Sequence, residues 1–342
     1  MLRWFDAHAR KLPWRRTRDP YVIWISEVML QQTQVASVIP YFERFLHAFP
    51  TLGSLADANE QAVLCHWEGL GYYRRARDLH RAARIIASEH GGCLPKDAPA
   101  LRRLPGFGRY TANAVLSQAF DKRLPILEAN SRRVLCRLLG VRDDPQRSVV
   151  QTRLWEAAER MVPARRAGAF NQGLMELGAL VCTPKAPQCW RCPLARCCVA
   201  HGEGIEDTIP VRVPRRPAVC VQEVAVALRR RDRFLLVRRP EGGRWGGLWE
   251  FPHAEQEPLE SPAAAAHRLL GALGIQGGVE SELATIRHAV TRFHITLICL
   301  RAHWQKGRVT AGVYPETCWV RPEQLAEFPI SSPQRRLVRL IY

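Results

Sequence analysis

Acidic side chains are scarce in this sequence: 32 Asp and Glu face 50 Lys and Arg, for a net charge of +18 and a pI near 10.1. That imbalance argues against a basic partner and points to a polyanion, nucleic acid first and an anionic membrane surface second. Lysine is rare beside arginine, whose planar fork suits phosphates and base edges. Long apolar runs are missing as well. None reaches the ~18 residues needed to span a bilayer, and the N-terminal MLRWFDAHARKLPW is amphipathic, with no apolar signal core. Membrane insertion and export are therefore not expected, and the 11 cysteines are expected to meet a reducing cytosol. No internal repeat is present.

The densest motif is CTPKAPQCWRCPLARCC, residues 182–198. Cys182, Cys189, Cys192 and Cys198 follow the pattern C-x6-C-x2-C-x5-C. Four thiolates this close in sequence suit one metal centre, either tetrahedral zinc or a cubane iron–sulfur cluster, and spacing alone does not choose. Disulfides fit poorly without export, and packing cysteines are the plain alternative. Cys197 stands beside Cys198, so either is a candidate fourth ligand.

Before this knot the chain reads as helical. Periodicity predicts a short helix over 1–12, ended by Pro13, and a helical run from Tyr21 to Phe45 in which Pro40 starts or kinks a turn. Glu27, in WISEVMLQQTQV, stands near the start of that run. An acid there ordinarily serves the helix dipole. Flanked by Trp24, Ile25, Val28 and Met29, it is alternatively buried, protonated near neutral pH and able to donate a proton. Further helices are expected over 57–67, 73–90 and 97–103. Tyr72 and Tyr73 precede arginines in GLGYYRRAR, a pattern for stacking on bases or for a plain glycine turn before a solvated helix. LRRLPGFGRYTANAVLSQAF, residues 101–120, reads as helix, tight turn, helix. Gly106 and Gly108 permit unusual backbone angles and leave N–H groups free at the next helix start, where Arg109 also sits; that suits a DNA phosphate, although any αα-hairpin needs a similar turn. Glu128 and Asn130 occupy cap positions before a helix over 132–139, either as caps or as groups set beside a reaction centre. Helices over 148–162 and 168–181 lead into the cysteines.

The stretch 202–217, GEGIEDTIPVRVPRRP, reads as an extended linker. Strand patterns follow at 219–228, 234–237 and 293–304, with a loop and a helix between them. The fold expected is an all-helical domain over 1–201, a linker over 202–217 and an α+β domain over 218–342.

Several motifs now combine: LPW at 12–14, WISEVMLQQTQV at 24–35, VIPYFERF at 38–45, GLGYYRRAR at 69–77, LPGFGRYTA at 104–112, NQGLMELGALVCT at 171–183, and the four cysteines. Over essentially its whole length the chain resembles the adenine DNA glycosylases of the MutY type. That resemblance implies a helix-hairpin-helix glycosylase domain, a structural [4Fe–4S] cluster on the four cysteines and a C-terminal Nudix-like domain. It implies removal of adenine mispaired with 8-oxoguanine or guanine, with the base flipped out of the duplex. Glu27 matches the acid that protonates adenine N7 and then activates water. The family stabilises the resulting cation with an aspartate in an LDGN-like motif; this chain has Glu128 in LEAN, one methylene longer, and a displacement of about 1 Å can cost ~100-fold in rate. Asn130 matches the nearby family asparagine. Tyr110 stands where endonuclease III-type relatives carry a catalytic lysine, so no Schiff base is expected there and the enzyme should be monofunctional. Trp14, Arg15, Leu30 and Gln172 match adenine-pocket residues, and Gln32 and Tyr72 match the region that wedges into the duplex.

In the C-terminal half, GGLWEFP at 246–252 resembles the opening of a Nudix box, but AAAAHRLLGALG after it has no acid for Mg²⁺, so diphosphate hydrolysis is not expected. Val290, Thr291 and Arg292 replace the family's Phe-Ser-His reading loop, between His288 and His294. Thr291 and Arg292 become the candidate lesion readers, Arg292 through a guanine edge. The expected partner is duplex DNA carrying A:8-oxoguanine or A:G, met by a monomer in the bacterial cytoplasm, on the nucleoid and away from membranes. Alternatives are a related glycosylase with another base or opposite-base preference, a catalytically weak DNA-binding sensor, and a nucleotide diphosphatase.

Overall fold

The computed structural model describes residues 1–211, 217–310 and 314–341. Its helices are α1 Leu2–His8, α2 Pro20–Leu30, α3 Val35–Ala48, α4 Leu52–Ala56, α5 Glu60–Trp67, α6 Arg74–Glu89, α7 Ala98–Arg103, α8 Arg109–Phe120, α9 Ala129–Leu138, α10 Ser148–Met161, α11 Ala167–Leu180, α12 Val199–Gly202, α13 Pro262–Ala272 and α14 Ser332–Val338. The strands are β1 Val219–Arg230, β2 Arg233–Arg238, β3 Trp249–Glu250, β4 His253–Glu255, β5 Ile275–Val290, β6 Phe293–Gly307 and β7 Glu316–Val320. Two compact units result: Met1–Asp57 with Arg77–Pro214, and Ala58–Ala76 with Arg215–Tyr342.

In the first unit, local signals set the helix starts. Asp19 accepts a hydrogen bond from Tyr21 N with Pro20 at the first helical position, so α2 begins seven residues before Glu27. Glu27 thus lies in the second half of α2, and the helix-dipole reading does not apply to it. The expected break at Pro40 is also displaced. The chain breaks between Leu30 and Val35, and α3 continues through Pro40, which lies on an exposed face where the carbonyl it leaves unbonded is open to solvent. α9 begins at Ala129, not at Arg132; Glu128 is its cap, and Asn130 lies within the first turn.

Close packing around α11 is allowed by missing side chains. A Cβ on Gly168 would stand 2.3 Å from Ser117 O on α8, and one on Gly178 would stand 2.7 Å from Asn130 Cβ on α9. These two glycines bring α8, α9 and α11 together on one side of α2. Asn171 reinforces the approach by donating to Ser117 Oγ and Leu124 O. Trp24 stacks on Phe107 at 5.0 Å, which ties α2 to the turn between α7 and α8. Residues 203–211 are not extended. Ile205 and Ile209 join the core cluster that holds Leu135, Leu138 and Leu177 and draw this stretch onto the helices. The rest of the expected linker, 212–216, lies outside the described residues.

The second unit is one mixed sheet, ordered β3-β2-β1-β6-β5, with β4 on β1 and β7 on β2. β1 runs parallel to β6. Its residues are buried on both faces, as expected of a central strand covered twice. Leu269 and Leu270 of α13 pack on one face and Leu337 and Val338 of α14 on the other. Residues 58–76 belong to this body through side-chain ties: Gln61 donates to Glu327 O, and Glu68 holds Arg335 through two bonds of 2.6 and 2.7 Å.

Candidate active site

A cavity of about 820 Å³ opens between α2, α8, α9 and α11. Glu27 projects into it and is only 3 % exposed. Tyr110 Oη donates to Glu27 Oε2 at 2.5 Å, and Gln118 Nε2 donates to Oε1 at 2.7 Å. Burial raises the Glu27 pKa most strongly; the two hydrogen bonds pull it down, Glu128 pushes it up, and the net direction is upward. Tyr110 is itself raised well above its ordinary value by burial and by the two carboxylates, so it stays a donor.

Glu128 faces the same cavity from the start of α9. Its Oε2 accepts from Asn130 N at 2.7 Å and its Oε1 from Ser131 N at 2.6 Å, while Ser131 Oγ accepts from Glu128 N. This is a capping box built with a glutamate as its cap. The extra methylene lets the carboxylate fold onto the helix N-terminus, where two N–H dipoles stabilise its charge. Asn130 Oδ1 accepts from Arg133, which also donates to Gly178 O and Cys182 O.

Of the residues singled out in the sequence, Trp14, Arg15, Glu27, Leu30, Gln32, Tyr110, Glu128, Asn130 and Gln172 all line this cavity. Tyr72 is not among them. It belongs to the second unit, half-exposed, with the Arg75 guanidinium 5.4 Å from its ring. Gly106 and Gly108 form the turn before α8. Gly106 has φ +75°, and Gly108 caps α8 with no side chain over its first N–H groups. The Arg109 guanidinium carbon lies over the Trp155 ring, 4.0 Å from its centre. Thr291 and Arg292 form the two-residue turn between β5 and β6, Thr291 with φ 53° and Arg292 stacked over Phe293.

No local sequence signal marks Gln118 or Glu176, which also line the cavity. Gln118 follows Tyr110 by eight residues, about two helical turns, which places both on one side of α8. Glu176 follows Gln172 by one turn. It is 1 % exposed and takes bonds from Arg10 and Arg15; burial alone would raise its pKa, but the two guanidiniums bring it to about 2. Arg15 is thereby held against the pocket wall.

The four cysteines sit together after α11. Cys182, Cys192 and Cys198 pack against Leu177, Val181 and Ala200, and Cys182 acts electrostatically on Cys189, Cys192 and Cys198. Arg137 Nη1 donates to Cys182 Sγ at 3.3 Å. Cys198 packs inward, whereas Cys197 is exposed and turned to Leu194 O, so Cys198 is the better fourth ligand. Among the described residues, the one set of three candidate ligand atoms within 4.8 Å of one another is Cys189, His201 and Glu206. No three of the four sulfurs are that close.

Comparison with known proteins fits this geometry. The profile described as "HhH-GPD superfamily base excision DNA repair protein" matches residues 25–160, and a NUDIX domain profile matches 223–340. The human adenine DNA glycosylase is 38 % identical over 401 residues, covering 99 % of this chain and 73 % of its own. The chain belongs to the adenine DNA glycosylase family. The family member from Rattus norvegicus is 40 % identical over 311 residues, covering 75 % of this chain, which spans 60 % of that relative's length. A solved thermostable thymine-DNA glycosylase is similar over 59 % of this chain and 93 % of its own, at 31 % identity and TM-score 0.54. An endonuclease III–DNA complex, at 24 % identity and TM-score 0.51, shares the fold over the same 59 %.

In this adenine DNA glycosylase family member the NUDIX-matched region carries no acid on α13. Its buried acids are committed elsewhere: Glu223 pairs with Arg244, and Glu250 with Arg239 and His253. Gly178→Ala should misplace Asn130 and destabilise the first unit by about 1–3 kcal/mol, since backbone atoms of Asn130 stand 2.9–3.0 Å from the new methyl. Thermal denaturation checks this, and an unchanged midpoint contradicts it.

Proposed function

We propose that this chain excises adenine from duplex DNA, acting on adenine opposite 8-oxoguanine or guanine. One observation carries the reading: a buried Glu27, its pKa raised by that burial, and the helix-capping Glu128 open onto one cavity with room for a flipped-out base. The base must leave the stack, because its glycosidic bond is enclosed within the duplex. Burial raises the Glu27 carboxyl above its ordinary value and so favours the protonated form, which gives its proton to adenine N7. The C1′–N9 bond then breaks, with its electron pair going to the base, and ionised Glu27 takes a proton from the attacking water. Tyr110 and Gln118 orient its carboxyl through both oxygens. Glu128 stabilises the cationic sugar, and Asn130 sets the neighbouring surface. Trp14, Arg15, Leu30 and Gln172 wall the base, while Gln32 and Tyr72 act at the duplex. Tyr110 offers a phenol and no amine, so no Schiff base forms and strand cleavage is inefficient.

The uncapped N–H groups that follow Gly108 at the start of α8, presented by the turn that Gly106 shapes, take a backbone phosphate with Arg109. Cys182, Cys189, Cys192 and Cys198 hold a [4Fe–4S] cluster, which when bound braces the segment after α11. Arg133 joins that segment to Asn130. Thr291 and Arg292 read the opposite base.

A second reading, excision of a different base, is favoured by the likeness to a thymine-DNA glycosylase and by Glu128 and Val290-Thr291-Arg292 in place of the family residues. Single-turnover excision on duplexes with A, T or U opposite guanine or 8-oxoguanine separates the two; cleavage of T without A overturns the first. Arg292→Ala should lower the 8-oxoguanine-over-guanine preference by about 5- to 150-fold, the worth of one good base contact. An unchanged ratio removes Arg292 from the reading role.

A further inference from the structure

Cys189 has a second set of neighbours besides the other cysteines. Its Sγ lies 3.7 Å from Glu206 Oε1, and the same oxygen lies 3.5 Å from His201 Nδ1. With Zn–S, Zn–N and Zn–O distances of about 2.3, 2.05 and 2.1 Å, a tetrahedral ion has an S···O edge of about 3.6 Å and an N···O edge of about 3.4 Å. Both observed separations match those edges closely. The Cys189–His201 pair closes the triangle within 4.8 Å.

We propose that Cys189, His201 and Glu206 form a site for a zinc-type divalent cation that competes with assembly of the iron–sulfur cluster. Thiolate, imidazole and carboxylate are the donors such an ion accepts, and the fourth corner is left to water. The local chain presents them together. Cys189 opens the turn Cys189–Arg191, His201 lies on α12, and Glu206 lies in a turn that Ile205 and Ile209 fasten to the helical core on either side. His201 is half-exposed, so an ion arrives without opening that core. Binding displaces the thiol proton and needs no electron transfer. Because Cys189 cannot serve two centres, a chain that has taken up the cation lacks one of the four cluster ligands, and the two loaded states exclude each other. The inference rests on the four-cysteine assignment and is independent of which base is excised.

Titrating the cluster-free full chain anaerobically with Co²⁺ tests this. One Co²⁺ per chain is expected, with the charge-transfer band of a single thiolate and the visible bands of a four-coordinate ion. His201→Ala and Glu206→Gln should each weaken Co²⁺ at least about 10-fold, a loss that even an outer-shell partner can cause. Both variants should take up the cluster as the parent does, read by visible absorbance after reconstitution. Cys182→Ser should lose the cluster and keep Co²⁺. A four-thiolate Co²⁺ spectrum that Cys182→Ser abolishes overturns the site in favour of the four cysteines. Reconstitution in rising Zn²⁺ supplies a second readout that does not depend on the cluster-free fold. The parent's cluster yield should fall and that of His201→Ala should resist; equal sensitivity overturns the proposal.

Discussion

Glu27→Gln is expected to lower single-turnover adenine excision by about 10²- to 10⁴-fold, the span that a positioned acid–base group supplies. Binding of the mispaired duplex should persist. Glutamine keeps the shape of the side chain, and the Tyr110 hydroxyl can turn from donor to acceptor. The same change should stabilise the fold near neutral pH, because burial makes the charged carboxylate costly. The sign follows from proton binding. The native state holds its proton above the ordinary glutamate value of 4.5, so on raising the pH the unfolded chain releases its proton first and the parent loses stability. The advantage of glutamine should therefore grow as pH rises from 4.5 through the raised value and vanish below 4.5, where both side chains are neutral. Excision by the parent should decline as pH climbs through the raised value. An excision rate matching the parent's would remove Glu27 from the chemistry and favour a sensor.

Glu128→Gln carries the second-largest effect. Loss of a charge that stabilises the cationic sugar should cost about 10²- to 10³-fold in excision. One amide oxygen replaces a carboxylate that accepted two N–H bonds, so α9 should also lose about 0.5–2 kcal/mol of capping. Glu128→Asp keeps the charge and a sound cap, and moves the carboxylate by about 1 Å, a displacement worth up to ~100-fold in rate. Its direction reports whether the longer side chain is tuned to this pocket. Paired rate and melting measurements divide the roles: a melting loss without a rate loss would reduce Glu128 to a cap.

The parts of the candidate site and of the cysteine segment that are legible in the sequence are those whose local signals are strong. Glu27 stands out as an acid among apolar residues, Glu128 as an acid at a helix start, and the four cysteines by spacing. Gln118 and Glu176 stayed hidden because their roles depend on tertiary approach. A glutamine inside a helix looks like a solvent face until α8 meets α2, and Glu176 needs Arg10 and Arg15 from a distant segment. β5 was missed for another reason. Its Gly277-Gly278 pair and its charges mimic a loop, and the strand exists because β6 supplies the partner along its length, with irregular register at three points. Pro40 carries a break signal that its position cancels, since on an exposed face the lost backbone bond costs little.

Residues 58–76 fold with the C-terminal body although most of that body begins far downstream. The body is thus encoded in two separated pieces of the gene, and no single cut in the linker yields it whole. A fragment ending near residue 205 would leave Glu68 without Arg335, and a fragment beginning near 217 would leave Arg335 without Glu68. Evolutionary exchange of the C-terminal half is restrained in the same way, because a transplanted C-terminal segment must match a resident stretch that it never carried.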